Sequence, residues 1–476
     1  MGSMAADFDA IIVGSGPNGL AAAIVLARTG RSVCVFEARE TVGGGTRSAE
    51  LTLPGYVHDV CSAIHPLASA SPFLRELPLA DHGLELIHSP APLAHPFDDG
   101  TAALMERSVD ATADGLGVDA RSYRRLMGPL TDAADAVIGD AFGPLRLPRH
   151  PVAAARFGLS GLRPASSLAR ARFEGEPARG LFAGVAAHSI MPLTAPITAS
   201  AGLALGLMAH AFGWPLARGG SQRIADAMAS YVRELGGEIV TARPVSTLEE
   251  LPQSRIVMLD LTPRGVLEVA RDRLPARYRR ALERYRYGPG VCKLDWALEG
   301  PIPWRAEGCG RAATVHLGGT LDEIAASEQE VWEGGHPERP FVLLAQQSPF
   351  DPTRAPAGKH TAWGYCHVPS GSAVEMTDRI EAQVERFAPG FRDLITGRSV
   401  MTATAMEEYN RNYVGGDING GVQDLRQLFT RPVPRLVPYS TPYEGLYICS
   451  SSTPPGGGVH GLCGYFAAQA ALRRSR

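Results

Sequence analysis

The chain is poor in cysteine, has no dithiol spacing and contains no long apolar run. Its seven cysteines (Cys34, Cys61, Cys292, Cys309, Cys366, Cys449 and Cys463) are scattered over 476 residues, and no two stand as C-x-x-C. That pattern excludes a disulfide framework, a dithiol redox centre and a zinc ribbon, and it predicts a reducing, cytoplasmic setting. The opening MGSMAADFDA has no basic stretch followed by an apolar one, so no secretory signal is expected; Met1 to Ser3 read as an added leader, with Met4 the natural start. Ala6 breaks the myristoylation pattern. No stretch is long enough to span a bilayer; the nearest, ITASAGLALGLMAHAF at 197–212, is rich in small residues and reads as a buried helix. A large excess of one sign of charge is also missing. A net charge of −3 predicts no nucleic-acid partner and no general attraction to anionic lipid, although a peripheral membrane contact stays open. The 53 glycines and 37 prolines punctuate turns and form no low-complexity run, which fits a loop-rich enzyme rather than disorder. Internal repeats are absent, and the oligomeric state is left open.

What is present concentrates at the N-terminus. FDAIIVG is a short Ile- and Val-rich run, the pattern of a buried parallel strand. Gly14, Gly16 and Gly19, with Pro17 and Asn18 between them, form G-x-G-x-x-G ahead of the small-faced helix LAAAIVLART. In such a unit Gly14 permits the tight turn, Gly16 lets backbone approach a diphosphate, and Gly19 lets helix pack on strand. The helix N-terminus offers free N–H groups and the positive end of its dipole to the phosphates. A second strand, SVCVFE, ends at Glu37, placed to accept hydrogen bonds from a ribose diol. Strand, turn, helix and acid together make a strong dinucleotide signature where the glycines alone would be weak.

The acid leads into ARETVGGGTRS. Glu37-Ala38-Arg39, a short gap, then Gly44-Gly45 and Arg47 resemble the FAD motif of the phytoene desaturase and amine oxidase superfamily. That resemblance implies FAD as cofactor, with Glu37 on the adenosine ribose and Ala38, Arg39, Gly44, Gly45 and Arg47 along the path to the flavin. It extends to GGSQRIADAMASYVRELGGEIVTARPVSTL, where Val245 matches the residue whose backbone meets the adenine, and to the C-terminal GLYICSSSTPPGGGVHGLCGYFAAQAAL. There Gly458 and Val459 precede a last helix whose N-terminus, in relatives, faces the flavin pyrimidine. With GPGVCKLDWALEGPIPW and NYVGGDINGGVQDLRQLFTRP, the likeness covers nearly the whole chain and points to one branch of the phytoene desaturase-like flavoproteins. The expected fold is α/β: a Rossmann-type FAD-binding domain of the glutathione-reductase type (5–105, 206–265 and 430–476), interleaved with a mixed α+β substrate domain (106–205 and 266–429). No second strand–GxGxxG–helix unit is found, so no NAD(P)H domain is expected, and reoxidation would fall to dioxygen or a quinone-like acceptor.

Two residues are candidates for catalysis. Lys293 sits in a strand-like segment and matches a lysine that, in amine oxidases of the superfamily, holds water at flavin N5; the plainer reading pairs it with Asp295 on the same strand face. His460 precedes the last helix and is either an acid–base group or a helix cap. Cys61 and His65 could link a flavin covalently, but read better as pocket wall together with His58 and Asp59. Tyr409, Tyr413, Trp214, Trp296 and Trp363 are tunnel or core. The family's usual strand end, Gly with an acid, is replaced here by Cys449 and Ser450, and Gly458 stands where an amine oxidase presents an aromatic ring. The first departure leaves the expected acidic contact to the ribityl chain open; the second, at Gly458, favours a desaturase-type site and a small, largely apolar substrate (polyene, isoprenoid or cyclic diene). The alternatives are an amine or amino-acid oxidase, a flavin-dependent double-bond isomerase and a non-catalytic escort protein.

Overall fold

Short β-branched runs and small-faced helices build a five-stranded sheet from three separated stretches of chain. Its order is Leu446–Ile448, Ser254–Leu259, Phe8–Val13, Val33–Phe36, Glu238–Val240, and every pairing is parallel. The computed structural model describes residues 7–474; residues 1–6, where the leader reading falls, and 475–476 lie outside the described residues. Ala10, Ile11 and Ile12 are completely buried, as a strand covered on both faces requires. The Pro17–Ala27 helix covers one face with all but its first residue buried, packed against the Gln222–Glu234 and Leu462–Arg474 helices. Their approach depends on a missing side chain: a Cβ on Gly464 would lie 1.8 Å from the Asn18 carbonyl oxygen. Val266, Leu274 and Tyr278 cover the opposite face.

The second layer is a seven-stranded mixed sheet, ordered Ile395–Met401, Gly290–Leu298, His360–Val368, Val342–Gln346, Ala312–Leu317, Ala91–Pro96, Ala102–Met105. Only the Ala312–Leu317 and Ala91–Pro96 pairing is parallel. Three expected boundaries therefore move. Residues 91–105 belong to this sheet, because Ala91–Pro96 is buried along its whole length against Ala312–Leu317. The Thr198–Ala211 helix runs through the boundary drawn at 206 and packs with the Glu176–Ala186 helix in a helical layer spanning 109–211. The helices Pro263–Ala270 and Ala276–Glu283, assigned to the substrate side beyond 265, pack on the dinucleotide sheet. The buried helix expected at 197–212 is present, and ten of its fourteen residues are buried. Among the described residues, no helix is long and apolar enough to cross a membrane.

Candidate active site

Between the two sheets and the helical layer lies a cavity of about 1440 Å³. Pockets for one small ligand run to roughly 300–1,000 Å³, so there is room for a dinucleotide and a second molecule. Its floor is backbone. Gly14, with φ +102°, and Gly16 face it, and a Cβ on Gly16 would lie 2.8 Å from Asp260 Oδ2. Gly44 and Gly45 bring the second glycine turn alongside: a Cβ on Gly44 would lie 3.0 Å from the Gly16 Cα. The Pro17–Ala27 helix starts at Gly16 without a side-chain cap, and the neighbouring Asn18 Oδ1 is buried without a partner. Bare glycine walls and an uncapped helix N-terminus fit the diphosphate of a dinucleotide. Pro17, Ala38, Arg39, Arg47, Val245, Gly458 and Val459 also line the cavity; Gly19 does not, since it packs behind the floor, where its Cβ would come within 2.0 Å of the Gly14 carbonyl oxygen.

Glu37 lies at the hinge of this floor. One carboxylate oxygen accepts from the Ser15 N–H (3.0 Å) and hydroxyl (2.5 Å); the other accepts from the Arg39 N–H and from Arg47 Nη2, both at 2.9 Å. It therefore ties the two glycine turns together, and a ribose diol would share oxygens that are already engaged. Asp260, missed in the sequence, ends the Ser254–Leu259 strand and accepts from the Gly19 N–H at 3.0 Å. Burial, helped by the charge of Glu37 and opposed by the Gly19 N–H, lifts its pKa to about 7. Its place at the carboxyl end of a strand facing the phosphate turn was the available signal.

Neither catalytic candidate opens onto the cavity. Lys293 Nζ lies 2.5 Å from Asp295 Oδ2 and 5.6 Å from the centre of the Trp363 ring, and both charged groups are buried. The rings of Trp363 and Tyr365, stacked 5.6 Å apart, form the cavity wall on that side. Lys293 thus has the plainer arrangement, the Asp295 pair. Burial raises Asp295 to about 6 although Lys293 pulls it down. His58 Nδ1 comes within 3.5 Å of Asp295, but burial and the Lys293 charge lower its pKa to about 3, so the contact is not an ion pair. His460 caps the last helix: Nδ1 accepts from the Leu462 N–H (3.0 Å), and Nε2 donates to the Gly456 carbonyl (3.1 Å). With burial lowering its pKa to about 4 and both nitrogens engaged, it has no free atom for acid–base work.

Behind the wall lies a polar network that the sequence did not reveal. Arg354, fully buried, donates to Asp59 (3.0 Å) and Asp351 (2.8 Å), while Asp59 also accepts from the Ser221 N–H and the Ser48 hydroxyl. Burial pushes the Asp59 carboxyl upward, but Arg354 and these donors outweigh it and hold it below its ordinary value. His65 bonds Ser221 Oγ at 2.8 Å in the same backing. Cys61, Tyr409, Tyr413, Trp214 and Trp363 line the cavity; Trp296 does not, and its indole N–H goes to Glu381.

Away from the floor the walls turn apolar, with Phe142, Phe157, Ile190, Ile197, Met208 and Leu343 among them. His188 is the histidine on that wall, its Nε2 3.0 Å from His316 Nε2 and its ring edge-on to Trp214. Burial drives His188 down to about 3, so it is neutral at physiological pH. A lone histidine in GVAAHSI gave no sequence signal.

This fold, with a glycine-floored dinucleotide cavity opening into an apolar chamber, defines a flavin-type oxidoreductase. Within that class the chain is phytoene desaturase-like, as its motifs imply. Residues 12–77 match the NAD(P)-binding Rossmann-like domain family. The chain is 27% identical to mouse pyridine nucleotide-disulfide oxidoreductase domain-containing protein 2 over 99% of its own length and 94% of that protein. It is 27% identical to the neurosporene-forming phytoene desaturase of Rhodobacter capsulatus over 53% of this chain and 52% of that protein. Among solved structures, cyclohexylamine oxidase from Brevibacterium oxydans IH-35A has a similar fold, with a TM-score of 0.60, 18% identity and 99% of this chain covered by 100% of that one. The disulfide in the mouse relative's name has no counterpart here, where all seven cysteines are free.

Proposed function

We propose that this chain is an FAD-dependent dehydrogenase or desaturase of a largely apolar substrate. The observation that supports it most is the single cavity that passes from a bare glycine floor into a chamber of aromatic and aliphatic walls. The assembly of the parallel sheet from three stretches of chain suits a dinucleotide unit of the glutathione-reductase type.

FAD, when bound, supplies the acceptor for a hydride leaving a substrate carbon. The residues of this chain do the rest. Gly14, Gly16, Asn18 and the helix N-terminus seat the diphosphate, and a proton retained on Asp260 spares the phosphates a facing carboxylate. Glu37, Arg39 and Val245 take the adenosine end; Gly44, Gly45 and Arg47 lead toward Gly458 and Val459 at the flavin end. Trp363 and Tyr365 exclude water from the chamber wall, and the Lys293–Asp295 pair holds Trp363 from behind as a positioning element. His188 offers a substrate a hydrogen bond but no charge. Asp140, the carboxylate beside Phe142 in the cavity lining, already accepts from the Arg149 and His150 N–H groups, which argues against its holding the ammonium of an amine substrate. Reoxidation falls to dioxygen or a quinone-like acceptor.

The purified protein should be yellow, and anaerobic addition of cyclic dienes or polyenes should bleach its flavin absorbance. A colourless protein that cannot be reconstituted with FAD would sink the flavoenzyme reading; bleaching by amines alone would make it an amine oxidase.

A further inference from the structure

The overall charge of −3 conceals one basic surface. From Ala141 to Arg172 the chain has six arginines and no Asp or Glu. Arg170 pairs with Asp322, whereas Arg146, Arg149, Arg156, Arg163 and Arg172 have no carboxylate within ion-pairing distance among the described residues. The same stretch is unusually apolar on its outside: Leu147 is 91% exposed, Leu159 77%, Leu145 76%, Val152 73% and Leu162 51%. These are five of the thirteen large hydrophobic side chains exposed anywhere among the described residues, so they form a cluster rather than a scatter. Val152, Ala155, Arg156 and Leu159 share one face of the Pro151–Gly161 helix, in which only Gly161 is buried.

This surface is also the outer wall of the cavity. Leu145, Arg146, Pro148, Phe157 and Leu162 are also among the residues that line the cavity, so the exposed face and the cavity share a rim. An apolar helix ringed by unpaired arginines at the mouth of an apolar chamber has the composition of an interfacial element.

We propose that this face docks on a bilayer bearing anionic headgroups. Leu145, Leu147, Val152, Leu159 and Leu162 enter the headgroup–acyl boundary, and Arg146, Arg149, Arg156 and Arg163 meet the phosphates. The inference rests on the apolar-substrate reading, because a docked mouth lets such a substrate pass between lipid and cavity without crossing water. A second copy of the chain is the poorer occupant, since two copies of this face would set arginine against arginine.

Flotation of the full-length protein with phosphatidylcholine vesicles, with and without phosphatidylglycerol, tests the docking. Binding is expected to rise with phosphatidylglycerol. The Leu147→Ser/Leu159→Ser pair should lower the partition coefficient at least about tenfold, and Arg149→Gln/Arg156→Gln should bring binding to phosphatidylglycerol vesicles down to the neutral-lipid level. The proposal is overturned if the wild type floats with neither vesicle, if the leucine pair binds as the wild type does, or if light scattering finds a dimer that the leucine pair turns into a monomer. Flavin absorbance of the same samples separates the two readings: yellow protein that stays unbound defeats the docking alone, and colourless protein that floats defeats the flavin assignment alone.

Discussion

The floor and the roof of the cavity are built on opposite principles. The floor is backbone stitched by charged groups: Glu37 binds both glycine turns and Asp260 accepts from the Gly19 N–H, while in the backing behind the wall Arg354 fastens Asp59 to Asp351. The roof is side chains packed on side chains, with Phe157 and Met208 facing the cavity and His188 resting on Trp214. A floor of this kind tolerates almost no change of atom, because each buried polar group depends on a named partner. A roof of this kind tolerates changes of shape at modest cost and can be refitted to another substrate.

The contrast can be broken most forcefully at Arg354. Arg354→Leu leaves Asp59 and Asp351 buried without their cation, and urea melts should show a loss of about 3–5 kcal/mol. Next comes Asp260. Its folded pKa, about 7, lies above its ordinary value, so burial opposes the charged form. Stability should therefore fall as pH rises from about 4 through about 7. Asp260→Asn should flatten that slope and gain about 3 kcal/mol at pH 8, measured by melts of the flavin-free protein across pH. Lys293→Met should cost about 3 kcal/mol at pH 8 and less near pH 5, where Asp295, titrating near 6, takes up a proton. Flavin content should be retained, because the ammonium does not reach the cavity; loss of flavin with unchanged stability would return Lys293 to the site. The smallest effect belongs to the roof: Phe157→Ala should cost about 1 kcal/mol, leave flavin content unaltered and show itself in substrate KM.

The same contrast explains what could be read in the sequence. The glycine turns and Glu37 of the floor were legible because their demands are local, whereas Asp260, which reaches Gly19 from a distant strand, was not. A positive φ at Gly14, close approach at Gly16 and Gly44, and an acid at the next strand end each require a residue type at a fixed offset. Val245, Gly458 and Val459 were found through the motifs around them, and they do face the cavity. The roof and the backing were not legible, because their contacts cross the chain. Lys293 meets Trp363 only through the pairing of two strands that places it beside Tyr365, and the partners of Arg354 lie as far away as Asp59. The strands at 91–105 were misassigned for the same reason: nothing in their local pattern says which sheet they join.

All four hydrogen bonds to the Glu37 carboxylate come from the protein itself. The two glycine turns of the cradle are thus held together by the protein's own groups. Loading should behave as docking into a ready seat: fast, reversible on dilution and accompanied by little change in far-ultraviolet circular dichroism. Protein stripped of its flavin should remain folded and take the cofactor up again without a refolding step.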